Sequence, residues 1–314
     1  MRAPWPNAAK RQGTARDAFA KFPTKAAVAN NNEIDRRWSV WGAAFGGSST
    51  TDGNSALGSN SATARAFGFA AGADYRISPA TLAGFALAGG GTGFSVNGFG
   101  SGRSDLFQAG AFLRHNAGPA YVTAAAAYGW QDVTTDRTVT AAGVDRLRAQ
   151  FNANAWSGRV EGGYRYVTSW IGATPYAAGQ FTTYQLPAYA EQVVSGGGTF
   201  ALNYTARDVT ASRSELGIRT DKSYAMANAV LTLRGRAAWA HNFNTDRSIT
   251  PVFQTLPGAA FVVNGAAQAG DAALVTGSAE MKWLNGFSLA ATFEGEFSGV
   301  TKSYAGKGVA RYAW

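Results

Sequence analysis

Asn285-Gly286-Phe287-Ser288-Leu289-Ala290-Ala291-Thr292-Phe293-Glu294-Gly295-Glu296-Phe297, followed by Tyr304-Ala305-Gly306 and Arg311-Tyr312-Ala313-Trp314, is the stretch that decides the fold. Asn-Gly is a favoured hairpin turn. After it Phe287, Leu289, Ala291, Phe293 and Phe297 fall on one parity, and Ser288, Glu294 and Glu296 on the other, which is the period of a strand. The return arm repeats the pattern, with Tyr304, Ala310, Tyr312 and Trp314 opposite Ser303, Lys307 and Arg311. A soluble antiparallel sheet also alternates, but it gains nothing from Tyr and Trp on its last strand. A closed barrel in lipid does, because aromatic rings settle at the bilayer interface and closure leaves no unpaired edge.

The composition agrees. In 314 residues there are 39 glycines and 13% aromatic residues but only 15% charged ones, which suits many short strands. With a mean hydropathy of -0.13 and no run of about eighteen apolar residues, a spanning helix is excluded. Spanning strands are not, since only alternate residues need be apolar. No cysteine is present, so disulfides and thiolate metal sites are impossible. The formal charge of +9 does not read as a nucleic-acid signal, because Lys and Arg are scattered over strand positions and loops. A basic lumen or attraction to anionic lipid phosphates accounts for them equally.

Working back from the terminal hairpin, alternating segments fall near 36-45, 67-76, 80-95, 103-114, 119-133, 147-168, 172-186, 200-221, 227-243, 269-284, 286-297 and 302-314. The expected fold is all-β, an antiparallel transmembrane barrel of about twelve strands. Trp38 and Trp41 lie on opposite faces, so the outward side of the first strand stays unassigned. Charged rows oppose apolar ones elsewhere: Arg159, Glu161 and Arg165; Arg213, Glu215 and Arg219; Arg234 and Arg236; Glu280 and Lys282; then Glu294, Glu296 and Arg311. Charge on the lipid side is costly, so these rows are expected to line the lumen. There they either form a cross-strand ladder or grip a segment carrying Lys21 and Lys25. Connections near 77-79, 115-118, 169-171 and 285-286 are short, whereas 48-61, 134-146, 187-199 and 244-268 read as long loops, and the glycine-rich 93-102 as another.

The terminal hairpin resembles the C-terminal end of bacterial autotransporter translocator domains. Asp74-Tyr75-Arg76-Ile77-Ser78-Pro79, Pro175-Tyr176-Ala177-Ala178-Gly179-Gln180-Phe181 and Gly235-Arg236-Ala237-Ala238-Trp239-Ala240-His241-Asn242-Phe243 add to it. So does Phe253-Gln254-Thr255-Leu256-Pro257-Gly258-Ala259-Ala260-Phe261, and the resemblance runs from Arg36 to the end. It implies a bacterial outer-membrane location with long loops outside and the C-terminus periplasmic. It also implies a translocator that anchors and exports its own N-terminal passenger, with lipopolysaccharide and the barrel-assembly machinery as partners and Tyr304, Tyr312 and Trp314 as the assembly signal. A monomer without cofactor is expected.

Residues 1-35 are then a linker segment and 36-314 the barrel. The segment carries a plausible helix start at Thr14 with Asp17, and Phe19 and Phe22 on one face. In the family such a helix threads the lumen. Met1-Arg2-Ala3-Pro4-Trp5-Pro6 lacks the apolar core of a signal peptide, so the chain reads as the C-terminal part of a longer precursor. Asn30 and Asn31 stand where some autotransporters cut themselves; an Asn-rich hinge is the alternative. His115 and His241 show no catalytic or metal-ligating grouping, and no enzyme is expected. A small porin, or a barrel with binding loops, is the alternative function.

Overall fold

A computed structural model describes residues 37–314. Twelve long strands run antiparallel to their neighbours. They are β1 Trp38–Thr51, β2 Ala62–Ser78, β3 Thr81–Val96, β4 Gly100–Ala117, β5 Ala120–Val139 and β6 Asp145–Tyr164, then β7 Gly172–Leu186, β8 Arg207–Ala225, β9 Ala229–Asn242, β10 Asp271–Trp283, β11 Phe287–Phe297 and β12 Thr301–Ala313. Each pairs with the next in sequence. β1 pairs with β12 from Ser39↔Ala313 to Thr51↔Thr301, which closes the sheet into a barrel. Closure leaves none of these strands as a free edge in lipid, the condition that hydrocarbon imposes. No helix among the described residues is long and apolar enough to cross a membrane. The linker helix expected within 1-35 falls outside the described residues, as do Lys21 and Lys25.

The alternation read from the sequence is the sidedness of the wall. Phe67, Phe69, Phe107, Val160, Leu216, Ile218, Leu289 and Phe293 are exposed on the outside, while Asp74, Glu161, Glu215 and Glu294 are buried on the other face. The structure also assigns β1: Trp38 and Val40 face out, and Trp41 and Ala43 face in. The ring of Trp41 lies flat against the inner wall because its neighbour across the ladder is Gly72. A Cβ there would stand 2.5 Å from Trp41 Cζ2 and 2.5 Å from the Phe85 carbonyl oxygen.

One end of the barrel carries Trp38, where β1 starts, Trp314, and the short connections 79-80, 118-119, 165-171, 226-228 and 284-286; we call it the terminal end. The last of these holds three residues rather than the two of a minimal Asn-Gly turn. Gly286 takes φ +94° and the Phe287 amide donates to Asn285 Oδ1 at 3.0 Å, the pattern of a three-residue hairpin with glycine in the left-handed position. The opposite, loop end carries 52-61, 97-99, 140-144, 187-206, 243-270 and 298-300.

Two segments expected as loops are strand. Only 97-99 of the 93-102 stretch and 140-144 of the 134-146 stretch leave the ladder. β5 and β6 are 20 residues each, about twice what a tilted strand needs to cross hydrocarbon. Beyond the bilayer the backbone hydrogen bonds continue without an apolar outer row, and that row was the signal used to end the strands.

A candidate translocation lumen

The inner wall divides into two halves. From β1 to β4 small and aromatic side chains prevail, with Asp74 and Arg114 buried among them: Trp41, Ala43, Ala70, Ala86 and Ala88, with Ala127 of β5, form one buried cluster, and Leu82 with Phe112 another. From β5 to β11 it carries charge. Because successive inward residues on one strand lie two apart, and directly paired residues share a face, Arg159 and Glu161 on β6, Arg213, Glu215 and Arg219 on β8, Arg236 on β9 and Glu294 and Glu296 on β11 meet across the interior.

Glu161, 1% exposed, is the centre of the first group. Arg219 grips it with both guanidinium nitrogens, Arg159 Nη2 donates to it at 2.8 Å, and the Tyr121 hydroxyl donates at 2.8 Å. The Arg219 guanidinium lies over the Tyr176 ring, 4.0 Å from its centroid, a favourable placement for a cation taken out of water. Glu215 is the second centre. It receives Arg159 at 3.1 Å and stands 3.4 Å from Arg213 and 3.8 Å from Arg236. Arg236 continues to Glu294 at 2.7 Å and to the Thr276 hydroxyl at 3.0 Å, and Arg213 to Glu296 at 3.1 Å. Nearer the terminal end Arg165 pairs with Asp221 at 2.8 Å, and Arg234 pairs with Glu280.

Every glutamate in these rows is therefore engaged by an arginine of the wall itself. Among the described residues this is the cross-strand ladder; Lys21 and Lys25, the other partners considered, lie outside them. Breaking such a buried pair leaves an uncompensated charge, so the ladder holds neighbouring strands in one register.

Arg311 belongs to a separate node at the seam between the first and last strands. Asp74, fully buried, accepts from Arg311, from Ser39 Oγ at 3.0 Å and from Trp41 Nε1 at 3.0 Å. One carboxylate on β2 thus ties β1 to β12. Asp74 and Tyr176 enter the sequence reading only as members of resemblance motifs, and Tyr121 and Asp221 not at all. The tyrosines read as interface aromatics by type, and only the parity they share with inward neighbours marks them as interior.

Tyr304, Tyr312 and Trp314 are exposed on the outer wall. Tyr304 packs against Phe293 and Phe297, and Tyr312 stacks on Trp314 at 5.8 Å. Trp314 and Trp38 exchange backbone hydrogen bonds of 3.1 and 3.3 Å. Asn30 and Asn31 lie outside the described residues. His115 bonds Thr81 at 2.9 Å, and His241 bonds Asp271 at 2.9 Å beside Trp239. Among the described residues no group of three or more His, Cys, Asp or Glu is placed to hold a metal ion.

A family model described as "Autotransporter beta-domain" matches residues 40–294. The chain belongs to that family. Solved structures agree at the level of the fold. The translocator domain of the autotransporter NalP from Neisseria meningitidis superposes with a TM-score of 0.71 at 16% identity, covering 90% of this chain and 91% of that one. The β domain of the Bordetella autotransporter BrkA gives 0.65 at 16%, covering 88% and 99%. The transport unit of AIDA-I from Escherichia coli gives 0.56 at 12%, covering 93% and 94%. Two curated relatives, both extracellular serine proteases of Serratia marcescens, are 26% and 25% identical over 196 residues. That match takes in 62% of this chain and 18% of each relative, so it spans about a fifth of their length. The autotransporter β-domain is an outer-membrane translocator, and membership of that family places this barrel in the outer membrane.

Proposed function

We propose that this barrel anchors and exports a passenger joined to its N-terminal side, without catalytic chemistry of its own. The observation that carries the reading is where the chain enters the wall. Trp38 opens β1 beside Trp314, at the terminal end, so a segment attached there must thread the interior to reach the loop end. Residues 1-35 are the linker in this reading and 36-314 the barrel. The terminal end faces the periplasm, the loops face outward, and a single copy suffices.

Tyr304, Tyr312 and Trp314 then serve as the outward aromatic signal for the barrel-assembly machinery, and lipopolysaccharide is the lipid of the outer leaflet. Asn30 and Asn31 are candidates for cleavage of the linker; recovery of only uncut precursor after insertion of a passenger-bearing chain removes that role. The exposed loop-end residues give no reason to prefer a porin or adhesin.

Single-channel recording on the full chain and on a chain lacking residues 1-35 tests the occupancy of the lumen. A marked rise in conductance on truncation is expected, and unchanged conductance would refute a threaded linker. Orientation is read separately. Since the chain has no cysteine, Ala141→Cys should react with a membrane-impermeant maleimide on intact cells, while Asn285→Cys should not.

A further inference from the structure

The outer wall carries a basic, hydroxyl-rich band at the loop end that the lumen does not use, and we propose that it binds the phosphate groups of a phosphorylated glycolipid, the lipopolysaccharide of the leaflet it faces. Cross-strand register defines it. One row along the ladder runs Tyr304, Ser48, Arg65, Gly93, Arg103, Thr134 and Gln150 across β12 and β1 to β6. The next row toward the rim runs Lys302, Thr50, Thr63, Ser95, Ser101, Asp136 and Arg148. Both rows share parity with Phe67 and Phe69 and so lie on the outer wall, where Arg65, Arg103 and Lys302 are exposed and Thr134 is buried. Toward the midplane the apolar belt follows, from Phe67 to Ile77 on β2, with Phe67, Phe69 and Ile77 exposed at its two ends. Ten residues of tilted strand rise about 25 Å, the height of an outer-membrane apolar band. Arg65 therefore stands one step beyond hydrocarbon, at headgroup level.

Three features make this more than scattered charge. Arg65 and Arg103 are exposed and make no ion pair among the described residues. Gly93 lies between them, and a Cβ built on it would meet nothing within 4 Å, so the two guanidinium groups flank an open notch. The outer-wall bases are also one-sided. Arg65, Arg103, Arg146, Arg148 and Lys302 lie at the loop end of the half from β12 to β6, whereas the terminal end of the described outer wall has one, Lys222. The acidic neighbours bound the site. Asp136 is engaged by Arg148 at 2.7 Å. Asp105 faces Asp132 one row nearer the midplane, which confines an anion to the rim side of Arg103. On the other half, Asp208 and Asp271 take the outward loop-end positions. A planar guanidinium donates to phosphate oxygens two at a time, and serine and threonine hydroxyls suit the sugar.

The proposal rests on the reading of the loop end as outward, and its test does not. The intact chain in detergent micelles, which have no sidedness, is titrated with bisphosphorylated lipopolysaccharide, with the same glycolipid stripped of phosphate, and with phosphatidylglycerol, and bound lipid is counted by native mass spectrometry. The phosphorylated glycolipid should bind about fivefold tighter or more than either competitor, the scale of two exposed charge-assisted contacts. R65Q/R103Q should abolish the preference, and K222Q should keep it. Retained preference in R65Q/R103Q, or equal binding of the dephosphorylated glycolipid, overturns the site; equal binding of phosphatidylglycerol overturns the choice of lipid. These substitutions lie on the lipid-facing surface, and unchanged heat-modifiable migration shows that the barrel is intact.

Discussion

Asp74 concentrates three strands on one carboxylate. Its replacement by Asn keeps the shape and removes the charge opposite Arg311, leaving a guanidinium inside the wall without its counter-ion. A loss of about 3–5 kcal/mol is the scale for such a break; the expected readout is a lower temperature for the shift from folded to unfolded migration in SDS. Removing both partners, as D74N/R311Q, should recover part of the loss, and a double variant as weak as the sum of the singles would show that the pair is not coupled. Gly72→Val tests the adjoining contact. The added side chain must displace Trp41 or the strand, so tryptophan emission should change and heat resistance fall. Neither the node nor the contact could be read from the sequence, because Asp74 looks like any inward polar residue until the register brings Ser39, Trp41 and Arg311 to it.

The loops at the open end are built by partners far apart in the chain. Glu191, buried, accepts from Arg137 Nε at 2.8 Å and from the Leu202 amide at 2.9 Å. Asp145 receives the amides of Gly198 at 3.1 Å and Phe200 at 3.3 Å. Phe151, Tyr189 and Tyr204 stack at 4.0 and 4.5 Å. Short ladders join Tyr189–Ala190, Leu202–Tyr204 and Val252–Phe253, and Asn264 Nδ2 reaches the Leu57 carbonyl at 2.8 Å. Loops 187-206 and 243-270 therefore lie together at this end, linked to 52-61 on the far side.

Glu191→Gln should raise the rate of protease cleavage within 187-206 severalfold while leaving the heat resistance of the barrel unchanged. The stack also responds to pH. Burial, reinforced by the charge of Glu191, pushes the Tyr189 phenol up to about 12 and Tyr204 higher still. A raised phenol favours the protonated folded form, so this stabilisation is complete below the ordinary value of about 10 and is lost as pH rises through 12. Amide exchange in 187-206 should accelerate over that window, and a rate that merely follows base catalysis would contradict the stack. What the sequence made legible here was strand sidedness, since Phe287, Leu289 and Phe293 sit where a period of two puts them. Strand length was not legible, because outside hydrocarbon the ladder from Thr134 to Val139 needs no apolar row. Nor was the loop fold, which depends on Arg137 meeting Glu191.

Closure makes the barrel cooperative. Thirteen register pairs between β1 and β12, the Asp74 node across that seam, and the ionic ladder that runs from Tyr121 on β5 to Glu296 on β11 hold the ring by separate sets of contacts. Glu161→Gln should therefore weaken the β6–β8 side without releasing the seam, leaving Arg159 and Arg219 short of an anion, and the barrel should still close but unfold at a lower temperature. Loss of insertion altogether would mean that the ladder is needed to form the ring and not only to hold it.

The wall is also uneven: β5 and β6 have 20 residues each, and β11 has 11. At about 3.4 Å per residue and a tilt near 40°, that difference of nine residues is roughly 20 Å. An exit cut on such a slant has a heading. A polypeptide emerging from it meets a wall that stands taller at β5 and β6 than at β11, so its two flanks are not alike.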